Sequence, residues 1–273
     1  MREFHLADRT IATSLPCFVM GIVNCTPDSF YGESRGGAAL AARLIDEGAD
    51  VLDIGGESTR PGSSYVDETE EISRVIPVIR QIRKTSSVPI SVDTRKCAVM
   101  KAAFDEGADI LNDVSALEDD EALADFAAQT KIPVILMHKR GLPATMQQRT
   151  DYRDVLAEVS SYLAARADFA TSRGVEKEKI IVDPGIGFGK DLGGNLALIA
   201  GCGKLCAGRY PVLMALSRKS FLQQITGRAV HERLSGTVAA NLVAAQNGAF
   251  MLRVHDVASC KDSLAVLKSL TGI

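Results

Sequence analysis

Short runs of β-branched and apolar residues recur along the whole chain, and helix-forming segments fill the gaps between them. The runs are Phe18–Asn24, Val51–Ile54, Pro89–Asp93, Ile110–Val114, Pro133–His138, Ile180–Asp183, Pro211–Leu216 and Met251–His255. Each is apolar almost throughout instead of alternating, the pattern of a strand buried on both faces in a parallel sheet. Ala-, Leu- and Glu-rich stretches of helical periodicity lie between them, over about 37–47, 67–84, 96–105, 119–128, 151–173, 194–206, 231–247 and 258–269. Eight strands alternating with eight helices predict an α/β chain folded as a (β/α)8 barrel. An internal echo agrees: Asp46–Asp53 recurs as Asp105–Asn112, and more loosely as Asn247–Leu252. Each copy is a helix end, a glycine at the C-cap and a strand. With no Pro/Ser-rich linker, residues 1–273 read as one domain. A doubly wound open sheet would want Gly-x-Gly-x-x-Gly after an early strand, and none follows the first one.

In such a barrel the reactive groups sit at the C-terminal ends of the strands. Against apolar strand bodies, polar residues at those ends are informative: Asn24, Asp93, Asn112, Asp183, Lys219, Arg253 and His255. Asp93, Asn112 and Asp183 supply acceptors and one amide that donates and accepts. Burying carboxyl groups without partners is unfavourable. A flat ligand with adjacent N–H donors would satisfy them, and the edge of a 2-amino-4-oxo-pyrimidine is of that kind. The alternative is that they bond one another or an arginine; Asp53, inside its strand, suits that structural role. Ser217-Arg218-Lys219-Ser220 follows the seventh run and Arg253-Val254-His255 ends the eighth, where barrels commonly hold phosphate. A pocket for an anion is expected there, with a solvated basic turn as the plainer reading of Arg218. His138 suits a core or supporting role as well as a catalytic one. Asn24 offers a neutral oxygen to Mg2+ when a diphosphate supplies the others.

Ile54-Gly55-Gly56-Glu57-Ser58-Thr59-Arg60-Pro61-Gly62 is the densest mixture of glycine, hydroxyl and cation in the chain. It reads as a ligand loop at a strand end, or as an ordinary turn rich in turn residues. Because the cations after the last two runs take the anion, it is expected to form a mobile flap rather than a phosphate cradle.

Net charge of −3 gives no field for nucleic acid or a membrane, and 5% aromatic content with no Trp makes base-stacking platforms improbable. The six cysteines are scattered, and only Cys202 and Cys206 are close, in no zinc spacing. The acidic start, Met1 to Asp8, has no apolar segment typical of a signal peptide, and no run is long enough to span a bilayer. A cytoplasmic location follows as the expectation. Neither a Gly-x-Ser-x-Gly elbow, a Walker loop nor His-Glu-x-x-His occurs.

Gly21–Phe30, Gly55–Gly62, Ser91–Thr94, Leu111–Ser115, Asp183–Lys190, Ser217–Ser220 and Arg253–Val257 together resemble the motifs of the bacterial dihydropteroate synthase family, in order from the first strand to the last. The resemblance implies a (β/α)8 barrel that joins 6-hydroxymethyl-7,8-dihydropterin diphosphate to 4-aminobenzoate, with Mg2+ as cofactor, in a homodimer that is the sulfonamide target. Carried over by motif, Asp93, Asn112, Asp183, Lys219 and Met137 would hold the pterin. Asn24 would meet Mg2+ on the diphosphate, whose oxygens Thr59, Arg60, Arg253 and His255 would grip. Thr59, Pro61, Phe188, Lys219, Ser220 and Phe30 would shape the aminobenzoate pocket, and Asp28, Arg60 and Lys219 would be the catalytic groups. The family usually has glycine two residues before the Ser of Ser-Arg-Lys-Ser; Ala215 stands there, and its methyl is expected to narrow the pterin slot slightly. A pterin-dependent methyltransferase barrel and a non-catalytic pterin-binding relative are the rivals. The first would not need Ser217–Ser220 or the Thr59-Arg60-Pro61 loop, and the intact Asp28, Arg60 and Lys219 argue against the second.

Overall fold

The computed structural model describes residues 1–26, 35–58, 65–141, 146 and 150–273. A hairpin of β1 (Arg2–His5) and β2 (Thr10–Thr13) precedes a parallel sheet of eight strands. These are β3 (Phe18–Asn24), β4 (Val51–Gly55), β5 (Ile90–Asp93), β6 (Ile110–Asp113), β7 (Val134–Met137), β8 (Ile180–Asp183), β9 (Leu213–Met214) and β10 (Met251–Val254). They run in the order β8-β7-β6-β5-β4-β3-β10-β9. A parallel bridge between Val182 and Val212, with Val182 N donating to Pro211 O at 3.0 Å, joins the two ends into a barrel. The helices around it are α1 (Arg35–Asp46), α2 (Glu68–Arg83), α3 (Cys97–Asp105), α4 (Ala122–Thr130), α5 (Val155–Ser172), α6 (Leu192–Ala200), α7 (Ser220–Thr226), α8 (Leu234–Gln246) and α9 (Val257–Thr271).

All eight predicted strands form, but the seventh shrinks to Leu213–Met214. Pro211 has no N–H for a ladder, and beyond Leu216 the chain leaves the sheet through Arg218 at φ +58°. Two elements were not foreseen, the N-terminal hairpin and α7. The helix expected over 194–206 stops at Ala200 and gives way to a 3-10 turn, Cys202–Gly208, with Cys206 and Ala207 left-handed. Packing under α8 accounts for the break: Cys202 Sγ donates to Ala244 O at 3.5 Å and Asn247 O at 3.4 Å. Helical periodicity carries no sign of such a contact.

Strand parity sorts side chains between two cores. Val19, Leu52, Ile54, Val92, Leu111, Leu136, Val182, Met214 and Leu252 face outward into the layer under the helices. Phe18, Met20, Val51, Ile110, Ile135, Ile181, Leu213, Ala215 and Met251 face inward and fill the lower barrel. The hairpin closes the bottom: Phe4 and Leu6 join that cluster, with Phe4 edge-on to Phe18 at 6.1 Å and to Phe250 at 5.8 Å. Burying one such ring stabilises by roughly 1.5–3 kcal/mol. One register step above the apolar plug, the inward positions turn polar.

Candidate active site

Those upper inward positions are Asp53 on β4, Asp93 on β5, Asn112 on β6, Asp183 on β8 and Arg253 on β10. Asp53 is fully buried at their centre. Arg253 Nε donates to Asp53 Oδ2 at 2.5 Å, and its Nη2 to Asp93 Oδ2 at 3.0 Å. Asn112 Nδ2 donates to both carboxyl oxygens of Asp53 at 3.2 Å. Asp53 is thus the structural partner that its mid-strand position suggested. It also decides what Asn112 offers. With the amide nitrogen committed to Asp53, the amide oxygen is what Asn112 can offer a ligand, as an acceptor. Burial pushes the Asp93 carboxyl above the usual range, against the pull of Arg253. Burial acts against the charge of Arg253, but Asp53 and Asp93 hold its guanidinium protonated. Met137 lines the same level on β7, paired in register with Asp183.

The loop after β8 completes one side. Asp183 Oδ1 accepts from Gly185 N at 2.7 Å, folding the chain back over its own strand end. Gly185 sits at φ +67°, and a Cβ there would lie 1.9 Å from His138 O, so no other residue fits. The loop then presents Ile186 O, which accepts from Lys219 Nζ, and the Phe188 ring, whose centroid is 4.9 Å from that nitrogen. Burial pushes the Lys219 ammonium down to about 8, with Asp183 resisting, Arg253 adding to the fall and Asp93 resisting it. Burial likewise raises the Asp183 carboxyl against the pull of Lys219. A cation bonded to a loop carbonyl beside an aromatic face, in the field of a buried carboxyl, suits a ligand that carries both a polar heterocycle and a benzoate.

On the neighbouring strand end, Ser217 Oγ and His255 Nδ1 are 3.0 Å apart, and His255 N donates to Ser217 Oγ at 3.2 Å. Ser220 is exposed at the first position of α7, directly after Lys219. Arg218 turns away: its Nη2 and Nε pair with Asp256 at 2.6 and 3.1 Å, while Arg233 holds its carbonyl at 2.8 Å. It braces the loop, and Lys219 is left as the cation of that segment at the mouth. Asn24 ends β3, half-buried, and no hydrogen bond of its side chain is present among the described residues. Among the described residues no group of His, Cys, Asp or Glu is arranged to hold a metal ion. Asp28, Phe30, Thr59, Arg60 and Pro61 lie outside the described residues. Ala215 belongs to the apolar lower cluster with Leu213 and Met251, not to the polar level.

The family described as pterin binding enzyme matches residues 20–255. The dihydropteroate synthase of Neisseria meningitidis serogroup B is 45% identical over 263 residues, 92% of each chain. The chain belongs to the dihydropteroate synthase family. Among solved structures it is similar to the Xanthomonas albilineans dihydropteroate synthase with 4-aminobenzoic acid, at TM-score 0.92 and 43% identity over 99% of this chain and 98% of that one. The same enzyme in complex with 7,8-dihydropteroate matches at TM-score 0.90 and 41% identity over the whole of both chains.

Family motifs pointed to the residues at the mouth; the groups that hold them in place are what the sequence hid. Glu57 Oε1 accepts from Arg95 Nε at 3.0 Å, and Oε2 from Lys96 Nζ at 2.8 Å and from Val66 N at 3.0 Å. Burial alone would raise this carboxyl, yet the bonds from Arg95 and Lys96 hold it below its usual value. Gly56 is tight against α2, where a Cβ would lie 2.8 Å from Val75 Cγ2. Gly56 therefore serves strand–helix packing, not a phosphate cradle. His138 is buried against Lys190, with Nδ1 2.9 Å from its Nζ. A single internal hint existed for Lys190, as the last residue of a glycine-rich string that begins at Asp183.

Proposed function

We infer that the chain condenses 6-hydroxymethyl-7,8-dihydropterin diphosphate with 4-aminobenzoate, releasing 7,8-dihydropteroate and diphosphate in folate synthesis. The observation that carries this reading is the polar level of the barrel. Acceptors on β5, β6 and β8 converge beneath Lys219, whose ammonium bonds Ile186 O beside the Phe188 ring and feels the charge of Asp183. The acceptors suit the amino and ring N–H groups of a pterin edge, with Met137 at the same level. Phe188, Lys219 and Ser220 suit the aminobenzoate, completed by Thr59, Pro61 and Phe30.

In the reaction the C–O bond between the pterin methylene and the diphosphate breaks, a C–N bond to the arylamine forms, and the amine proton leaves to solvent. The methylene sits on an electron-rich ring that delocalises positive charge, so an SN1-like path is favoured, and Asp28 is the group we assign to that cation. The free arylamine is nucleophilic at neutral pH, which removes the need for a strong general base. What the leaving group requires is positive charge. His255, Arg60 and Arg253 are assigned to it, with Thr59 donating a hydroxyl. Arg253 reaches up from a base already fixed by Asp53, so its position does not depend on substrate. The uncommitted oxygen of Asn24 would hold Mg2+ beside the diphosphate, and the ion would supply positive charge to the departing group. The decisive experiment is diphosphate release on addition of 4-aminobenzoate to the chain with the dihydropterin diphosphate and Mg2+. Release that ignores the arylamine would overturn the reading.

A homodimer is part of the same proposal. Leu196 on α6, Ile225 on α7, Val230 in the 3-10 turn before α8, and Leu234 and Val243 on α8 are exposed large apolar side chains on adjoining elements. Their grouping suits an isologous interface. Light scattering should give twice the mass of the chain, and Val243→Glu should halve it. A reducing compartment such as the cytoplasm fits six free thiols, five of them buried.

A further inference from the structure

We propose that Lys190 is a positioning residue for the aminobenzoate half of the reaction, its ammonium tying the β8–α6 loop to His138 so that Phe188 and the Ile186 carbonyl stand correctly against Lys219. The inference rests on the synthase reading above and assigns a role to a buried charge that the reaction chemistry leaves unused.

Lys190 is 2% exposed, and no carboxyl of the described residues lies within hydrogen-bond reach of it. Its Nζ meets three acceptors at 2.9 Å: His138 Nδ1, Gly185 O and Phe188 O. An ammonium has three N–H donors, so its capacity is filled. Two of those acceptors are carbonyls of the loop itself, and the third belongs to the neighbouring β7 loop. His138 is suited to accept, because burial and the nearby Lys190 charge push its imidazole down to about 3, leaving it neutral. Burial also pushes Lys190 down, to about 7, with Asp183 resisting. The other titratable groups facing it are Arg140 and Lys219.

The loop has no regular structure to satisfy its backbone. Gly185, Gly187 and Gly189 are all left-handed. One turn bond closes the loop internally, Phe188 N donating to Gly185 O at 3.0 Å, and two further ties come from outside: Gly187 N donates to Asn195 Oδ1 at 2.7 Å, and Tyr152 Oη donates to Gly189 O at 3.0 Å. Gly185 already presses on His138 O, so the loop has one path, and the Lys190 ammonium closes it at both Gly185 and Phe188. Every contact that the loop offers upward, Ile186 O and the Phe188 ring, lies between those two clamped carbonyls or on one of them. Removing the ammonium leaves the Phe188 carbonyl without its donor and Gly185 O with Phe188 N alone, a condition that proteins relieve by moving backbone. A shift of about 1 Å at a substrate-positioning group lowers turnover on the order of 10²-fold.

The test uses the full chain and two variants, Lys190→Met, which keeps length and apolar bulk, and Lys190→Gln, which retains two donors. With dihydropterin diphosphate saturating, kcat/KM for 4-aminobenzoate should fall on the order of 10²-fold in Lys190→Met and less in Lys190→Gln. Calorimetric affinity for the dihydropterin diphosphate should stay at the wild-type value in both. Amide exchange at 185–189 should quicken in the variants while β6 and β7 keep their protection. Equal losses for both substrates, or an unchanged kcat/KM in a folded variant whose loop exchanges at the wild-type rate, overturns the proposal. If Lys190→Met fails to fold, the same comparison on Lys190→Gln decides. Wild-type chain without arylamine-dependent diphosphate release refutes the synthase reading instead, and the exchange measurement then still judges the clamp.

Discussion

Replacing Asp53 by asparagine tests whether the centre of the barrel dictates what the mouth can bind. Asp53 accepts from two donors, Arg253 Nε and Asn112 Nδ2. The new amide has one oxygen and one nitrogen, so one of the two positions that now accept becomes a donor. Turned to keep Arg253, it sets nitrogen against nitrogen at Asn112. The relief is for Asn112 to flip, which directs its own NH2 at the mouth where the pterin brings donors. Two effects follow, of separable size. Arg253 keeps Asp93 but loses the charge on its shorter contact, which costs about 1.5–3 kcal/mol of stability. The flip replaces an acceptor by a donor at the ligand and costs binding about 1–3 kcal/mol, or roughly 5- to 150-fold in Kd. Urea melts read the first effect, and calorimetry with dihydropterin diphosphate the second. The reciprocal pair Asp53→Asn with Asn112→Asp restores donor to acceptor, since the new amide nitrogen then faces a carboxyl that still offers an oxygen to the ligand. The double variant should recover most of the pterin affinity, a positive coupling in the cycle. A folded Asp53→Asn protein with wild-type affinity, or a double variant no better than the sum of the singles, would refute the reasoning.

Three further outcomes are expected. Lys219, pushed down to about 8, loses its proton above that pH, so kcat/KM for the anionic 4-aminobenzoate should fall as pH rises through about 8; Lys219→Arg should remove that limb, Lys219→Ala most of the turnover, and a flat profile from pH 7 to 9 in the wild type would contradict the assignment. Asp183→Asn exchanges one acceptor oxygen for a donor and should weaken pterin binding on the order of tenfold or more, read by calorimetry. His138 titrates at about 3 in the fold against 6.5 as its ordinary value, so between those values the unfolded chain binds more protons and stability falls as pH falls, by up to about 1.4 kcal/mol per unit; His138→Gln should flatten that part of the acid limb in urea midpoints, and an unaltered slope would show that His138 charges in place.

Runs of apolar residues too continuous for a one-sided sheet announced the barrel, and Phe18–Asn24 and Ile180–Asp183 form as read, residue for residue. Most polar residues of the site were legible because a strand buried on both faces tolerates few of them before its end, Asp53 being the mid-strand exception. The hairpin that plugs the barrel was not legible, since Arg2–His5 and Thr10–Thr13 carry too little periodicity to stand out. Nor was the break in the predicted 194–206 helix, which depends on contacts of Cys202 with α8.

By itself, then, the sequence determined the alternation of strand and helix and the set of polar groups that must gather at one end, because hydrophobic period and strand-end position are local properties. The tertiary structure decided which of those groups meet. Arg253 lies 200 residues from Asp53, yet barrel order puts β10 beside β3, next but one to β4, and strand parity turns both side chains inward. Parity and the left-handed turn at Arg218 also send that cation to Asp256 and leave Lys219 over Asp183 and Phe188. Lys190, an unremarked lysine in the string, became a buried clamp because two loops closed around it. Pairings of this kind arise when the sheet closes on itself, and no local pattern encodes them.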